Sequence, residues 1–291
     1  MNSERKIVVL HNPALHLRRQ LLFKRLQKKL PKSALIIDSS GDYAADLVHL
    51  KEACKDADLL ISVGGDGTLN LAVNAIAGTS TVLGVLPAGS GNDFARIWVA
   101  GLSTDDRIDT ALNGNPMSID LGKVNERYFL NIAGIGFDAH LIESLRHKTW
   151  PRGFSYILKA LPLLPLYKAR EIAVEDASAK VNSGSSRRSF MLTLGNGRYF
   201  GAGLPITPHA RVNDGLLAYC HLKEGNRLGT IWRLARMVFQ KHLNAVNVQT
   251  GQLSEITVTT PGIPIQADGE YLGVTPAQIS IQPGALRINK P

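Results

Sequence analysis

Apolar runs alternate with amphipathic stretches through the first part of the chain. Ile7-Val8-Val9-Leu10 is an unbroken apolar run closed by Asn12-Pro13, and residues 15–30 then repeat Leu17, Leu21 and Leu22 among Arg and Lys. This pattern predicts strand, turn and helix. It recurs as a strand over 34–37, the polar Ser39-Ser40-Gly41-Asp42 and a helix over 44–53. A strand over 59–63 enters Gly64-Gly65-Asp66-Gly67 and a helix over 68–77, and a fourth strand over 82–86 ends in the glycine-rich stretch 87–93. Strands without a polar face, alternating with helices, predict a parallel sheet covered on both sides, with ligands gathering at the strands' carboxyl ends.

After about residue 122 the texture changes. Short strand-like runs over 128–132, 170–174, 190–194, 216–222, 255–259 and 279–281 are separated by Gly, Pro, Asn and Ser clusters. That spacing predicts an antiparallel sandwich or barrel. Two helical insertions, 139–145 and 228–242, interrupt it, and 183–189 reads as a polar hairpin or mobile loop. No internal repeat is apparent. The expected organisation is an α/β domain over 1–122 and a β-rich domain over 123–275, with 276–291 a candidate strand returning to the first domain.

Composition narrows this picture. With 291 residues, 44% hydrophobic, 27 Gly and 2 Cys, the chain is globular and long enough for one or two real cores. Cys54 and Cys220 lack any CxxC pattern, which favours free thiols in a reducing compartment. The run Ile7–Leu10 is too short for an export signal, and no run approaches the ~20 apolar residues that cross a bilayer. Residues 1–122 carry 13 basic and 13 acidic side chains, so the net +9 resides wholly in the remainder. A basic half suits an anionic partner, nucleic acid or membrane surface, although net charge also serves solubility alone.

Two loops can carry chemistry. Gly64-Gly65-Asp66-Gly67-Thr68-Leu69-Asn70 joins a strand to a helix. Glycines let backbone N–H groups approach a phosphate, the helix N-terminus favours negative charge, and Thr68 can cap the helix. Asp66 would repel a phosphate unless a cation intervened, so an Mg²⁺-nucleotide is the economical reading, with a tight turn as the alternative. The loop has neither a dinucleotide fingerprint's third Gly nor a Walker Lys. Leu86-Pro87-Ala88-Gly89-Ser90-Gly91-Asn92-Asp93-Phe94-Ala95-Arg96 follows another buried strand. Two such loops at one sheet edge suit a nucleotide.

GGDGTLN followed by LPAGSGNDFAR resembles the bacterial diacylglycerol kinase and lipid kinase family, with sphingosine kinases and NAD kinases as more distant relatives. The resemblance continues through Ile119–Gly122, Phe129–Ala139, Pro208–Leu216 and Asp268-Gly269-Glu270, nearly the whole chain. It implies a nucleotide-binding α/β domain, a β-rich antiparallel sandwich for the lipid, and an active site in the inter-domain cleft.

Carried over by position, the resemblance implies that Gly65, Asp66, Gly67, Thr68, Leu69, Asn70, Leu71, Ser90, Gly91 and Asn92 hold ATP, with Asn12 and Ser39 contributing. Asp66, Asp93 and Asp120 would surround a catalytic Mg²⁺, partly through water. Asp214, with the Arg211 and Leu216 carbonyls, would hold a structural Mg²⁺. Glu270 would deprotonate the lipid hydroxyl, with Asp66 the alternative base. Simpler readings stand beside these: Asp93 as a cap for a helix beginning at Phe94, Asp120 and 213–215 as turns, Asp268-Gly269 as a hairpin turn with exposed acids. Relatives often place a small residue and Gly after Asn-Pro, whereas here Ala14-Leu15-His16 follows. The histidines show no metal-ligand spacing.

The expected activity is ATP- and Mg²⁺-dependent transfer of phosphate to a lipid hydroxyl, diacylglycerol or a related glycerolipid. An NAD kinase-like enzyme and a non-catalytic lipid or nucleotide sensor are the alternatives. The expected partner is a lipid at an anionic membrane surface, met peripherally at the inner face from the cytoplasm. The basic, aromatic stretch 146–168 suits that contact. Nucleic acid is not expected, and a homodimer is admitted.

Overall fold

The computed structural model describes residues 5–145, 162–164, 166–175, 181, 188–201, 203–226, 229–230, 232, 236, 243, 245 and 247–291. The expected helix over 228–242, the loop over 183–189 and the stretch 146–168 fall mostly outside these. The chain forms two compact units, Met1–Asp120 with Pro283–Pro291, and Leu121–Gln282.

The first unit follows its apolar runs. Strands β1 (Ile7–His11), β2 (Leu35–Asp38), β3 (Leu59–Gly64) and β4 (Val82–Pro87) alternate with helices α1 (Leu17–Gln27), α2 (Tyr43–Cys54) and α3 (Asp66–Ile76). After β4 come the one-turn α4 (Arg96–Val99), α5 (Thr104–Asn113) and β5 (Asn115–Val124). The strands lie in the order β2-β1-β3-β4, all parallel, and Arg287 and Ile288 of the chain's final strand pair in parallel with Val82 and Leu83. Strand β1 leads outward to β2, and the chain then returns to the other side of β1, so the order reverses between β1 and β3. In such sheets that point opens a crevice at the carboxyl ends.

Beneath it, Val9, Ile61, Val63 and Leu86 of the strands pack with Leu26 of α1 and Ile108 of α5. Asp42 caps α2 by accepting the Ala44 and Ala45 N–H groups, and Ser103 with Asp106 forms a capping box on α5. Helix α5 is absent from the sequence expectation although Ile108, Ala111 and Leu112 carry helical spacing, because its mostly polar surface hides a narrow apolar stripe.

The second unit adds β6 (Arg127–Phe129), β7 (Ile132–Gly136), α6 (Phe137–Leu145), β8 (Arg170–Glu171), β9 (Val174–Glu175), β10 (Arg188–Gly195) and β11 (Leu217–Lys223). Then follow β12 (Val248–Leu253), β13 (Glu255–Val258), β14 (Pro264–Ala267), β15 (Glu270–Val274) and β16 (Ala277–Lys290). One antiparallel sheet runs β12-β11-β10-β7-β14-β15, while β13 pairs antiparallel with β9 and with the first part of β16. Ile135, Leu192, Leu194, Leu217 and Ile265 of the first layer bury against Ile256, Val258, Ile279 and Ile281 of the second. This is the expected antiparallel layering.

Two details differ from the pattern. The single run over 128–132 is two strands, because the carboxylate of Asp268 accepts the N–H groups of Leu130, Asn131 and Ile132 at 2.8, 2.9 and 3.1 Å and takes them out of the ladder. Strand β12, short and partly polar, lies outside the expected runs, and β14 and β15 are the strands that flank the Asp268-Gly269 turn. Among the described residues no helix is long and apolar enough to cross a membrane.

Candidate active site

The two glycine-rich loops leave adjacent parallel strands and touch each other through backbone. A Cβ on Gly89 would lie 2.4 Å from the Cα of Gly65, so the approach demands glycine. Asp66 then joins them. Its carboxylate accepts the N–H of Asn92 at 2.8 Å and of Asp93 at 2.9 Å. The Asn92 side chain closes the second loop from within, accepting the Gly89 N–H at 2.9 Å and donating to the Gly89 carbonyl at 2.8 Å. Its backbone adopts φ 52°, which Asn tolerates better than most side chains. The loop after β1 reaches the same place. Asn12 donates its N–H to the Val63 carbonyl at 3.1 Å, and its side chain lies 3.5 Å from the Thr68 hydroxyl. Asn12, Gly65, Asp66, Gly67, Ser90, Gly91 and Asn92 thus collect at the carboxyl ends of β1, β3 and β4.

The other predicted ligands divide. Helix α3 begins at Asp66 with Gly65 as its N-cap, so Thr68 lies inside the first turn and does not cap it. Leu69, Asn70 and Leu71 are buried in that helix, and Asn70 accepts from Tyr43 of α2 and Asn74. Ser39 follows β2 and donates its N–H to the His11 carbonyl at 2.9 Å. Helix α4 starts at Arg96 with Ala95 at its N-cap and no side-chain cap, so Asp93 caps no helix at Phe94. Its N–H instead serves Asp66.

Burial pushes the Asp66 carboxyl up, against the opposing pull of the Asn92 and Asp93 N–H groups and the Arg96 guanidinium. Such a carboxylate between glycine-rich loops fits a site completed by a cation, because a nearby positive charge restores the ionised form. Among the described residues, however, no group of three or more His, Cys, Asp or Glu could hold a metal ion. Asp66 and Asp93 are neighbours through the bond of Asp66 to the Asp93 N–H, and the expected arrangement of Asp66, Asp93 and Asp120 about Mg²⁺ runs partly through water. Asp120 is buried and accepts the Gly284 N–H at 2.8 Å, which ties the end of the chain to the first unit.

In the second unit Asp214 accepts the Leu216 N–H and the Gln252 amide, each at 3.1 Å, an Asn-Asp-Gly turn braced against β12. Its carboxylate, with the Arg211 and Leu216 carbonyls, is an all-oxygen set of the kind a hard cation takes. Asp268 and Gly269 form a two-residue hairpin loop with φ 49° and 84°, the twist that joins antiparallel strands tightly. Here the plain hairpin reading succeeds only in part. Asp268 is held inward by three N–H groups, whereas Glu270, first in β15, is exposed.

A further carboxylate, with no role in the sequence expectation, stands inside the segment Phe129–Ala139. Asp138 is buried in α6, its Oδ2 accepting from Gln266 at 3.0 Å, with the Ala139 and Asp138 N–H groups also against the carboxyl. A Cβ on Gly134 would lie 1.5 Å from Oδ2, so that glycine makes room for it. Burial lifts Asp138 to about 6 and, together with that carboxylate's charge, Tyr167 to about 12. An Asp one residue into a helix that leaves a Gly-ended strand was the signal available.

Comparison with known proteins agrees with these features. Residues 6–124 match the diacylglycerol kinase catalytic domain, and residues 131–290 match the YegS C-terminal NAD kinase beta sandwich-like domain. A diacylglycerol kinase of Mycobacterium tuberculosis is 32% identical over 269 residues, covering 88% of this chain and 85% of that protein. One from Bacillus subtilis is 34% identical over 246 residues, covering 81% and 79%. The crystal structure of a diacylglycerol kinase from Bacillus anthracis superposes with a TM-score of 0.71 at 17% identity, over 100% of this chain and 98% of that one, a likeness of fold. With both halves matched and its glycine loops joined through Asp66, the chain belongs to the diacylglycerol kinase family and is a lipid kinase, a phosphotransferase with an alcohol group as acceptor.

Proposed function

We propose that the protein transfers the γ-phosphate of ATP to the hydroxyl of a glycerolipid, diacylglycerol first, in a reaction that requires Mg²⁺. The observation that carries this reading is the carboxylate of Asp66 bonding two glycine-rich loops together at the strand-order reversal. Phosphoryl transfer asks little covalent chemistry of a protein beyond positioning and cancellation of charge. The backbone of Gly65, Gly67, Ser90 and Gly91 and the start of α3 supply N–H groups to phosphate oxygens. Mg²⁺, held near Asp66 through water, would offset the charge of the moving phosphoryl group. Glu270, exposed at the head of β15, takes the proton of the attacking hydroxyl. The Asp214 turn is the proposed second Mg²⁺ site.

The excess of basic residues after residue 122 supports work at an anionic membrane surface, met from the cytoplasmic side. The test is transfer of labelled γ-phosphate from ATP, with and without Mg²⁺, to diacylglycerol, monoacylglycerol, phosphatidylglycerol and sphingosine in mixed micelles. NAD is the parallel acceptor and Asp66→Ala the control. Label on diacylglycerol that depends on Mg²⁺ and Asp66 supports the proposal. Label on NAD alone, or none on any lipid, refutes it.

A further inference from the structure

We propose that Asp38 reads the ribose hydroxyls of the bound nucleotide and that His11 positions it, an assignment that deepens the ATP reading and rests on it. The last residues of β1 and β2 are His11 and Asp38, paired in register, and Asp38 Oδ1 lies 2.7 Å from His11 Nδ1. The imidazole is itself fixed. It is 7% exposed and stacks on Phe23 of α1 with ring centroids 3.8 Å apart. Asp38, by contrast, keeps its side chain 62% exposed at the carboxyl edge of the sheet.

The other acids of this loop are consumed by its own architecture. Asp42 accepts the Ala44 and Ala45 N–H groups, and Asp46 accepts the Ser40 and Gly41 N–H groups and the Ser40 hydroxyl. Asp38 has no such backbone duty among its described bonds; its described partner is a histidine that holds one oxygen and leaves the carboxylate facing outward. A carboxylate is an acceptor with two oxygens, which suits a pair of neighbouring hydroxyls.

Position along the sheet edge supplies the ligand. Phosphates belong over the ends of β3 and β4, where the glycine loops lie, and the order β2-β1-β3 sets β2 two strands away. Strands sit about 4.8 Å apart, so the end of β2 lies roughly 10 Å from that of β3, comparable to the reach of a nucleotide from its phosphates to its ribose. Serving the ribose also gives the exposed carboxylate of the His11–Asp38 hydrogen bond a purpose.

Calorimetric titration of the full chain with ATP and with 2′,3′-dideoxy-ATP tests this. The wild type is expected to bind ATP about tenfold more tightly than the dideoxy nucleotide, a typical worth for a hydrogen bond to a charged group. Asp38→Ala is expected to bind both alike, at the wild type's dideoxy affinity, and His11→Gln to lose part of the discrimination without weakening dideoxy-ATP. Thermal unfolding of each variant confirms folding. Wild-type binding without discrimination, or an equal loss for both nucleotides in Asp38→Ala, overturns the ribose assignment alone. No ATP binding by the wild type overturns the nucleotide reading and this assignment with it.

Discussion

Replacing Asp138 by Asn removes a buried charge while keeping the side chain's shape and a hydrogen bond to Gln266. Burial raises this carboxyl from 3.8 to about 6, so the folded chain holds a proton that the unfolded chain releases. The stabilising protonated form is fully present below about 3.8 and is lost as pH rises through 6. Each pKa unit is worth 1.36 kcal/mol, which sets the cost at neutral pH at roughly 3 kcal/mol. His221 works in the opposite sense. Buried, and bonded to Ser189 at 2.6 Å, it is lowered from 6.5 to about 4, so its contribution is present above 6.5 and lost as pH falls towards 4.

The two effects are similar in size and nearly cancel in the wild type between pH 4 and 7. Asp138→Asn unmasks the histidine. Its stability is expected to climb from pH 4 to 7, matching the wild type near pH 4 and exceeding it by about 3 kcal/mol at pH 8, with about half that gain by pH 5. Urea unfolding followed by circular dichroism at pH 4, 5, 6, 7 and 8 reads the difference directly, since His221 is common to both proteins. Parallel stability curves, or a variant less stable at pH 8, would refute the assignment of an ionised, poorly solvated Asp138.

Other predictions use the same contacts. Gly89→Ala places a Cβ against the backbone of Gly65. It should weaken ATP binding measured by calorimetry at least tenfold, since neither chain can yield without opening the loop pair. Glu270→Gln should leave the unfolding midpoint unchanged because the side chain is exposed, and lower kcat about 100-fold or more with ATP affinity retained; a pure loss of affinity would remove its role as base. Asp268→Ala strips three backbone N–H groups of their acceptor and should cost about 3 kcal/mol in chemical unfolding, a loss that Asp268→Asn recovers only in part.

Fold class was legible in the sequence because burial on both faces writes itself as unbroken apolar runs, as at Ile7–Leu10 and 59–63, and half-burial writes itself as short interrupted ones. The glycine loops were legible for a similar reason, since backbone that must approach backbone or phosphate admits little else. Individual acids were not. Asp66, Asp93 and Asp120 look alike in one dimension. Folding makes the first a bridge between loops, turns the second's N–H rather than its carboxyl towards that bridge, and buries the third against Gly284. Asp138 and the His11–Asp38 pair carried no distinguishing neighbours along the chain. What they do depends on groups tens or more than a hundred residues away, Gln266 for one and a facing strand for the other. Local propensity and periodicity follow from near neighbours and are therefore written in the sequence. Which carboxylate meets an N–H, a histidine or a side-chain amide follows from strand order and register, and only the tertiary structure decides it.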